Sequence, residues 1–341
     1  MTPPLRLRLN SAALVANWRW LAGRSGAAAC GAAVKADGYG LGACEVVARL
    51  AEAGCQDFFV ATWNEATALG ALPQGVALSV LHGVRAEDMA AACASSARPV
   101  LNTLEQVARW RPTGRPCDVM IDTGMNRLGL SVRDVASGLL DGLVIETLIS
   151  HLACADEDHP MNAAQLAAFQ RLRSKTSARR MSLANSAGIC LGSDFAFDLT
   201  RPGLALYGGI PRAEADGHIA QVAFPEAQII QRRRIKAGET VGYAATFAAQ
   251  HECEIAILNL GYADGYLRGF SGRGTGCNGR FPVIGRVSMD LIAISVDADP
   301  AKTEGDWVSI DYDLSAASSQ SGLSPYELLT GFGARYERIW D

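Results

Sequence analysis

Nowhere in the 341 residues is there an apolar run of the roughly 18 residues that a membrane-spanning helix requires. The opening Met1-Thr2-Pro3-Pro4-Leu5-Arg6 also lacks the apolar stretch of a secretion signal, so no membrane partner is expected and a cytoplasmic protein is. No CxxC pair occurs. The nine cysteines, at 30, 44, 55, 93, 117, 154, 190, 253 and 277, are scattered and odd in number, which argues against a disulfide framework and a zinc site and predicts reduced, mostly buried thiols. No metal is expected. A basic field is missing too: 31 Lys and Arg against 35 Asp and Glu give a formal charge of -4, and the densest cluster, Gln231-Arg232-Arg233-Arg234, is flanked by strand-like residues. A nucleic-acid partner is therefore not expected. Repeats and low-complexity tracts are absent, which leaves ordinary globular architecture.

What is present fits that reading. Hydrophobic residues make up 49% and charged residues 19%, and 35 glycines predict many tight turns or close backbone approaches to a ligand. The length suggests one large domain plus a smaller one. From residue 32 to 207, short apolar strand-like runs alternate with longer helix-like ones. The strand candidates are 32–36, 57–62, 77–82, 98–101, 117–122, 145–151, 181–184 and 199–206. Between them, 44–53, 86–95, 104–110, 132–139 and 162–175 are rich in alanine, leucine, glutamate and arginine with helical spacing. Eight βα units within roughly 220 residues predict a TIM barrel.

After Gly209 the pattern changes, because 211–217 is polar and turn-like and the remainder is strand-rich without a sustained helical period. A mostly β domain is expected over 219–341, with strands near 224–231, 253–260, 281–284, 291–296 and 307–312 and a loop at 315–324. The barrel would take 1–218, its N-terminal strand being free to pack with the second domain.

Active sites of such barrels lie at the carboxyl ends of the strands, so polar residues that close apolar runs carry the interest. Lys35 ends Gly31-Ala32-Ala33-Val34-Lys35. Apolar neighbours strip its hydration, lower its pKa and make a free amine available to a carbonyl; the alternative is a lysine whose ammonium reaches the rim. His151 ends Leu148-Ile149-Ser150-His151 and reads equally as a catalytic or a structural histidine. Asn185-Ser186-Ala187-Gly188 and Arg201-Pro202-Gly203-Leu204 fall after strands seven and eight, where phosphate sites recur, although each alone could be an ordinary turn. Arg127, in Asp122-Thr123-Gly124-Met125-Asn126-Arg127, offers a fork for a carboxylate or phenolate, or lies on the surface. Three glycine-bracketed loops, around Tyr243, Tyr262 and Met289-Asp290, present aromatic and charged groups in the second domain.

Together these segments resemble the alanine racemase family, in its order, from residue 31 to 290: VKADGYG, IDTGMNRLG, HLACADE, NSAG, RPGLALYG, VGYAAT, GYADGY and VSMD. The resemblance implies a pyridoxal 5'-phosphate (PLP) enzyme that interconverts L- and D-alanine as a head-to-tail homodimer, each β domain completing its partner's site. It implies that Lys35 holds the cofactor and serves as one base, with Tyr243 from the other subunit as the opposed base. Tyr39, Ser186, Gly203 and Leu204 would bind the phosphate, with Asn185 and Tyr207 beside them. Arg201 would face the pyridine nitrogen, His151 would support the polar network, and Arg127 would meet the cofactor phenolate or substrate carboxylate. Met289 would bind that carboxylate through its backbone N–H, with Asp290 next to it, while Tyr262 narrows the substrate entrance.

Four positions depart from the family pattern. Met120 stands where many members have a lysine supporting the arginine that matches Arg127, Ser182 where some have a histidine behind the arginine that matches Arg201, Ser288 where a cysteine is common, and Ala334 where some have a phosphate-binding tyrosine. The competing readings are a serine or broad-specificity racemase of the same fold, a related PLP decarboxylase, and a non-catalytic PLP-binding protein. The last is a barrel alone, so the long β-rich region with Tyr243 and Tyr262 speaks against it.

Overall fold

Leu5, Leu7 and Leu9 alternate with Arg6 and Arg8, and this period of two makes Leu5–Leu9 a strand whose leucines are all buried. In the computed structural model, which describes residues 3–341, that strand belongs to the β-rich part of the chain. Its Leu7 is opposite Pro225 of the antiparallel strand Ala223–Ile235, and its other edge pairs in parallel with Glu337–Trp340. Met1 and Thr2, the first two residues of the opening segment, lie outside the described residues. Two units are distinguishable. One comprises Leu14–Leu206 and Ile210–Ala220; the other comprises the N-terminal segment through Ala13, Tyr207–Gly209 and Gln221–Asp341.

The first unit is the TIM barrel expected from the sequence. Its strands run in parallel: Ala29–Cys30 with Ala32–Ala33, then Asp57–Val60, Ala77–Val80, Arg98–Leu101, Pro116–Asp122, Val144–Ile149 and Arg180–Ser182. Leu199–Thr200 closes the ring, pairing with Ala29–Cys30. Further bonds link Asp198 N to Met181 O (3.0 Å), Arg201 N to Ala184 O (2.8 Å) and Ala33 N to Pro202 O (2.8 Å). Buried Phe58, Phe59, Val80, Val100, Val119 and Leu148 form much of its apolar interior and wall. Towards the amino ends of the strands, the buried Asp118 accepts from Ser79 Oγ at 2.6 Å and lies 3.5 Å from Arg98 Nε. Asp57 takes a bidentate pair from Arg180 at 2.9 and 2.6 Å. The bidentate Arg180 pair satisfies Asp57, and the Arg98 charge partly offsets the burial of Asp118, which raises that carboxyl's pKa.

The eighth strand is shorter than the expected 199–206. Pro202 has no N–H for a ladder, and the chain turns into a 3-10 helix at Leu204–Tyr207. The helix-like run 86–95 is helical only over Met89–Ala94, and 162–175 resolves into Pro160–Gln170 and a 3-10 turn at Arg173–Lys175.

In the β unit the principal sheet orders its strands Thr275–Gly276, Phe281–Ile284, Ile292–Ser295, Cys253–Leu258, Ala223–Ile235, Leu5–Leu9 and Glu337–Trp340; Trp307–Ser309 also pairs with Ala223–Ile235. The basic cluster lies within the long strand, where Arg232 and Arg234 reach Glu254 of the neighbouring strand at 3.1 and 2.8 Å. An aromatic series packs beside the sheet, with Tyr266 stacked on Phe270 at 4.3 Å and continuing through Tyr312 and Phe332 to Tyr336.

The expected loop at 315–324 is instead helical over Leu314–Ser321. The Asp313 carboxylate accepts from Ala316 N at 2.9 Å and Gly322 ends the helix in the left-handed region, so strong caps outweigh the weak propensity of its serines. A second short helix, Pro325–Thr330, starts with a Ser324–Glu327 capping box.

Candidate active site

The carboxyl ends of the barrel strands carry most of the residues picked out from the sequence. Lys35 follows the buried Ala33 and Val34 and opens a turn in which Ala36, Asp37, Gly38, Tyr39 and Gly40 all have positive φ, between 52° and 83°. Left-handed backbone costs about 1–2 kcal/mol for each residue with a side chain, so Ala36, Asp37 and Tyr39 make this a strained segment. It is closed internally by Gly38 N to Val34 O (2.9 Å) and Gly40 N to Ala36 O (2.8 Å). The turn delivers the Tyr39 hydroxyl against the Gly203 backbone, so close that a β-carbon at 203 would collide with it. Only glycine admits that approach.

Burial, then the nearby Arg127 charge, lowers the Lys35 ammonium from its ordinary range, with Glu65 acting in the opposite sense. His151 is pushed down to about 3 by burial and by the positive charges of Arg201, Arg127 and Lys35, which fixes it as a neutral imidazole near pH 7. Arg201 is buried, and desolvation brings its guanidinium down to about 10, leaving it charged. It donates from Nη1 to the Ser182 hydroxyl and from Nη2 to Ser150 O at 2.7 Å; Ser182 Oγ in turn donates to Leu199 O at 2.5 Å. Serine at 182 thus supplies the hydrogen-bonding partner behind this arginine.

Ser186 is buried, and its Oγ accepts from Gly203 N (2.9 Å) and Ala205 N (3.2 Å), which leaves its hydroxyl proton to donate. Asn185 caps the following helical turn, its Oδ1 accepting from Gly188 N at 2.8 Å. Leu204 opens the 3-10 helix that ends at Tyr207; both side chains are buried. Arg127 is exposed, on a loop shaped by Asp122, whose carboxylate accepts from Gly124 N (2.7 Å) and Arg127 N (3.0 Å). Met120, buried in the preceding strand, gives this loop no polar support.

Two contributors escape sequence reading. Gln165, buried on the helix Pro160–Gln170, donates to Thr123 Oγ1 (3.1 Å) and His151 O (2.9 Å) and accepts from Ala153 N (2.9 Å). With the Thr123–Ser150 hydroxyl contact at 2.8 Å, it joins the Arg127 loop to the His151 strand end. In an alanine-rich helical run, one glutamine carries no periodic signal. Glu65 is the other; its sequence mark is Thr62-x-x-Glu65, a capping box at a helix start.

The remaining picked residues gather in the β unit. Tyr262 N bonds Ser288 O and Ala263 N bonds Met289 O, both at 3.0 Å, while Gly261 packs against the Met289 carbonyl without room for a side chain. These bonds set Tyr262, Met289 and Asp290 side by side. Arg335 fixes Asp290 through a 2.7 Å bond and binds the buried Asp264 through two nitrogens. Tyr243 is 69% exposed and Met289 53% exposed. A groove of about 420 Å³ beside Tyr243 is lined mainly by apolar residues, among them Val241, Ile257, Ile284, Leu291 and Ile292.

Comparison with known proteins gives one consistent relationship. The family model "alanine racemase, N-terminal domain" matches residues 9–211, and "alanine racemase, C-terminal domain" matches 222–340. The chain is 42% identical to the catabolic alanine racemase of Agrobacterium fabrum over 98% of its own length and 91% of that protein's. It is 40% identical to the biosynthetic alanine racemase of that organism over 98% and 93%. The crystal structure of alanine racemase from Bartonella henselae with covalently bound pyridoxal phosphate superposes with a TM-score of 0.91, at 36% identity and full coverage of both chains. Two matched domain models and relatives of this identity across nearly the whole length establish that the chain belongs to the alanine racemase family.

Proposed function

We propose that this protein interconverts L- and D-alanine with pyridoxal 5'-phosphate as cofactor, using Lys35 and the partner subunit's Tyr243 as bases on opposite faces of the substrate Cα. The observation that carries the reading is electrostatic. Lys35, Arg127 and Arg201 converge with a neutral His151, yet among the described residues none of the three cations has a carboxylate within ion-pair distance. Such a site favours an anionic cofactor and a substrate carboxylate.

The residues present fit PLP. The Tyr39 and Ser186 hydroxyls, with the backbone at Gly203 and Leu204, would hold the phosphate, and Asn185 and Tyr207 would support that segment. Arg201 would donate to the pyridine nitrogen. Because it remains protonated, it is a donor rather than a proton source there. Lys35, its proton affinity lowered by burial, would be available as the neutral amine that attaches the cofactor. The chemistry PLP supplies when bound is electron withdrawal from the substrate Cα, which acidifies the Cα–H bond.

Racemisation then needs one group to take the Cα proton and another to return a proton to the opposite face. Lys35 Nζ takes the first role in one direction and Tyr243 Oη in the other. Neutral His151 neither adds charge nor competes for the proton, while Arg127 would hold the phenolate or carboxylate. The partner subunit's Met289 would meet the carboxylate through its N–H, with Asp290 beside it and Tyr262 at the entrance. The exposure of Tyr243 beside an apolar groove, together with that of Met289, supports a head-to-tail homodimer that uses them.

The test is incubation of the PLP-loaded protein in deuterated water with L-alanine, L-serine and bulkier L-amino acids, followed by chiral chromatography with mass detection. D-alanine carrying deuterium at Cα, formed faster than any other D-product, is expected. No exchange with any of these substrates contradicts the proposal, and faster D-serine formation transfers it to another substrate.

A further inference from the structure

The left-handed turn that presents Lys35 and Tyr39 has an anchor from outside its own segment. Glu65, at the third position of the helix Trp63–Ala68, sends Oε1 to Ala36 N, which donates at 2.8 Å. Its Oε2 accepts from Ala61 N at 2.6 Å and from Thr62 N at 3.3 Å. One carboxylate thus joins the loop after the first barrel strand to the loop after the second, and it does so at the residue next to Lys35. Ala36 is the first of five consecutive residues with positive φ. A backbone forced into that region persists only where its surroundings over-determine it, and an ionised acceptor on the leading N–H is such a constraint. The position also places negative charge near Lys35, opposing the effect of burial and of Arg127 on its ammonium.

We infer that Glu65 is a positioning residue for the cofactor site: by holding Ala36 N it keeps the 35–40 turn in the left-handed form that aims Lys35 and brings the Tyr39 hydroxyl to Gly203. Resting on the PLP reading above for its functional consequence, the inference separates two tasks of one carboxylate, capping its own helix and stitching the lysine turn. Thr62 shares the first task only, because Thr62 Oγ1 accepts from Glu65 N at 3.3 Å and makes no bond to the turn. Glutamine at 65 keeps the shape but replaces one acceptor oxygen with an NH2, which cannot serve Ala36 and Ala61 together.

The experiment compares wild type, Glu65→Gln and Thr62→Ala as full-length proteins. It combines amide hydrogen exchange on peptides covering 34–41, before and after PLP is removed by dialysis, with PLP titration followed by absorbance. For Glu65→Gln, exchange in 36–40 accelerates at least about tenfold and the Kd for PLP rises at least about tenfold, the scale of one charge-assisted hydrogen bond. Thr62→Ala leaves both within about twofold of wild type while lowering the Tm, as the loss of a cap does. Unchanged exchange in Glu65→Gln, or equal acceleration in Thr62→Ala, overturns the inference. Where Glu65→Gln does not fold, Glu65→Asp, one methylene short of Ala36, must give the same two changes to a smaller extent, and wild-type values in it are equally contradictory. A wild type that takes up no PLP refutes the proposed function, whereas the exchange comparison still decides whether Glu65 holds the turn.

Discussion

A neutral histidine among three cationic side chains has a consequence for stability. The His151 pKa is about 3 in the folded protein, below its ordinary 6.5. Between these values the unfolded chain binds a proton that the native state does not, so this contribution to stability is complete above about pH 6.5 and is lost as pH falls towards 3. Replacing His151 with asparagine removes that proton. In urea unfolding at about pH 8 and about pH 4.5, the midpoint of wild type is expected to fall further than that of His151→Asn, other titrating groups being common to both. Equal falls contradict the neutral state assigned to the half-buried His151. At this scale the sequence is informative where a polar residue closes an apolar strand, as with Lys35, His151 and Arg201. It is silent on Gln165 and on the reach of Glu65 to Ala36, because helix-borne polar residues look alike until the fold shows which of them face inward.

Among the elements, the barrel strands were legible because buried parallel strands are short, continuous apolar runs. Boundaries follow finer physics. Pro202 stops the eighth strand early, and Asp313 starts a helix in a serine-rich stretch that composition alone assigns to a loop. Removing that cap by Asp313→Ala is expected to cost about 0.5–2 kcal/mol of stability in chemical denaturation without changing PLP affinity. A loss of cofactor affinity comparable to that of Glu65→Gln contradicts a purely local role for this helix. The left-handed turn at 36–40 was also hidden in sequence: the glycines of Ala36-Asp37-Gly38-Tyr39-Gly40 announce some positive φ, but Ala36, Asp37 and Tyr39 adopt it under constraint from Glu65 and from neighbouring backbone.

For the whole molecule, family membership and the exposed Tyr243 bear on how many chains make one site. Lys35 and Tyr243 lie in different units of the chain, and the proposed two-base mechanism uses both. In the proposed head-to-tail dimer the tyrosine would come from the other subunit, which would give the 69% exposure of Tyr243 and its apolar surroundings a purpose. The departures at Met120 and Ala334 leave both proposed bases in place, and Ser182 engages Arg201 directly.

The central claim, opposed bases contributed by two subunits, is tested most directly by mixing Lys35→Ala with Tyr243→Phe after reversible dissociation and assaying racemisation. Each variant alone is expected to lose roughly 10²-fold or more of the activity. The mixed dimer regains one site with an intact Lys35 and an intact partner Tyr243, so random pairing at equal amounts restores about a quarter of wild-type activity. Failure to regain activity although mixed dimers form would contradict the account, since bases drawn from one subunit leave every site in the mixture defective.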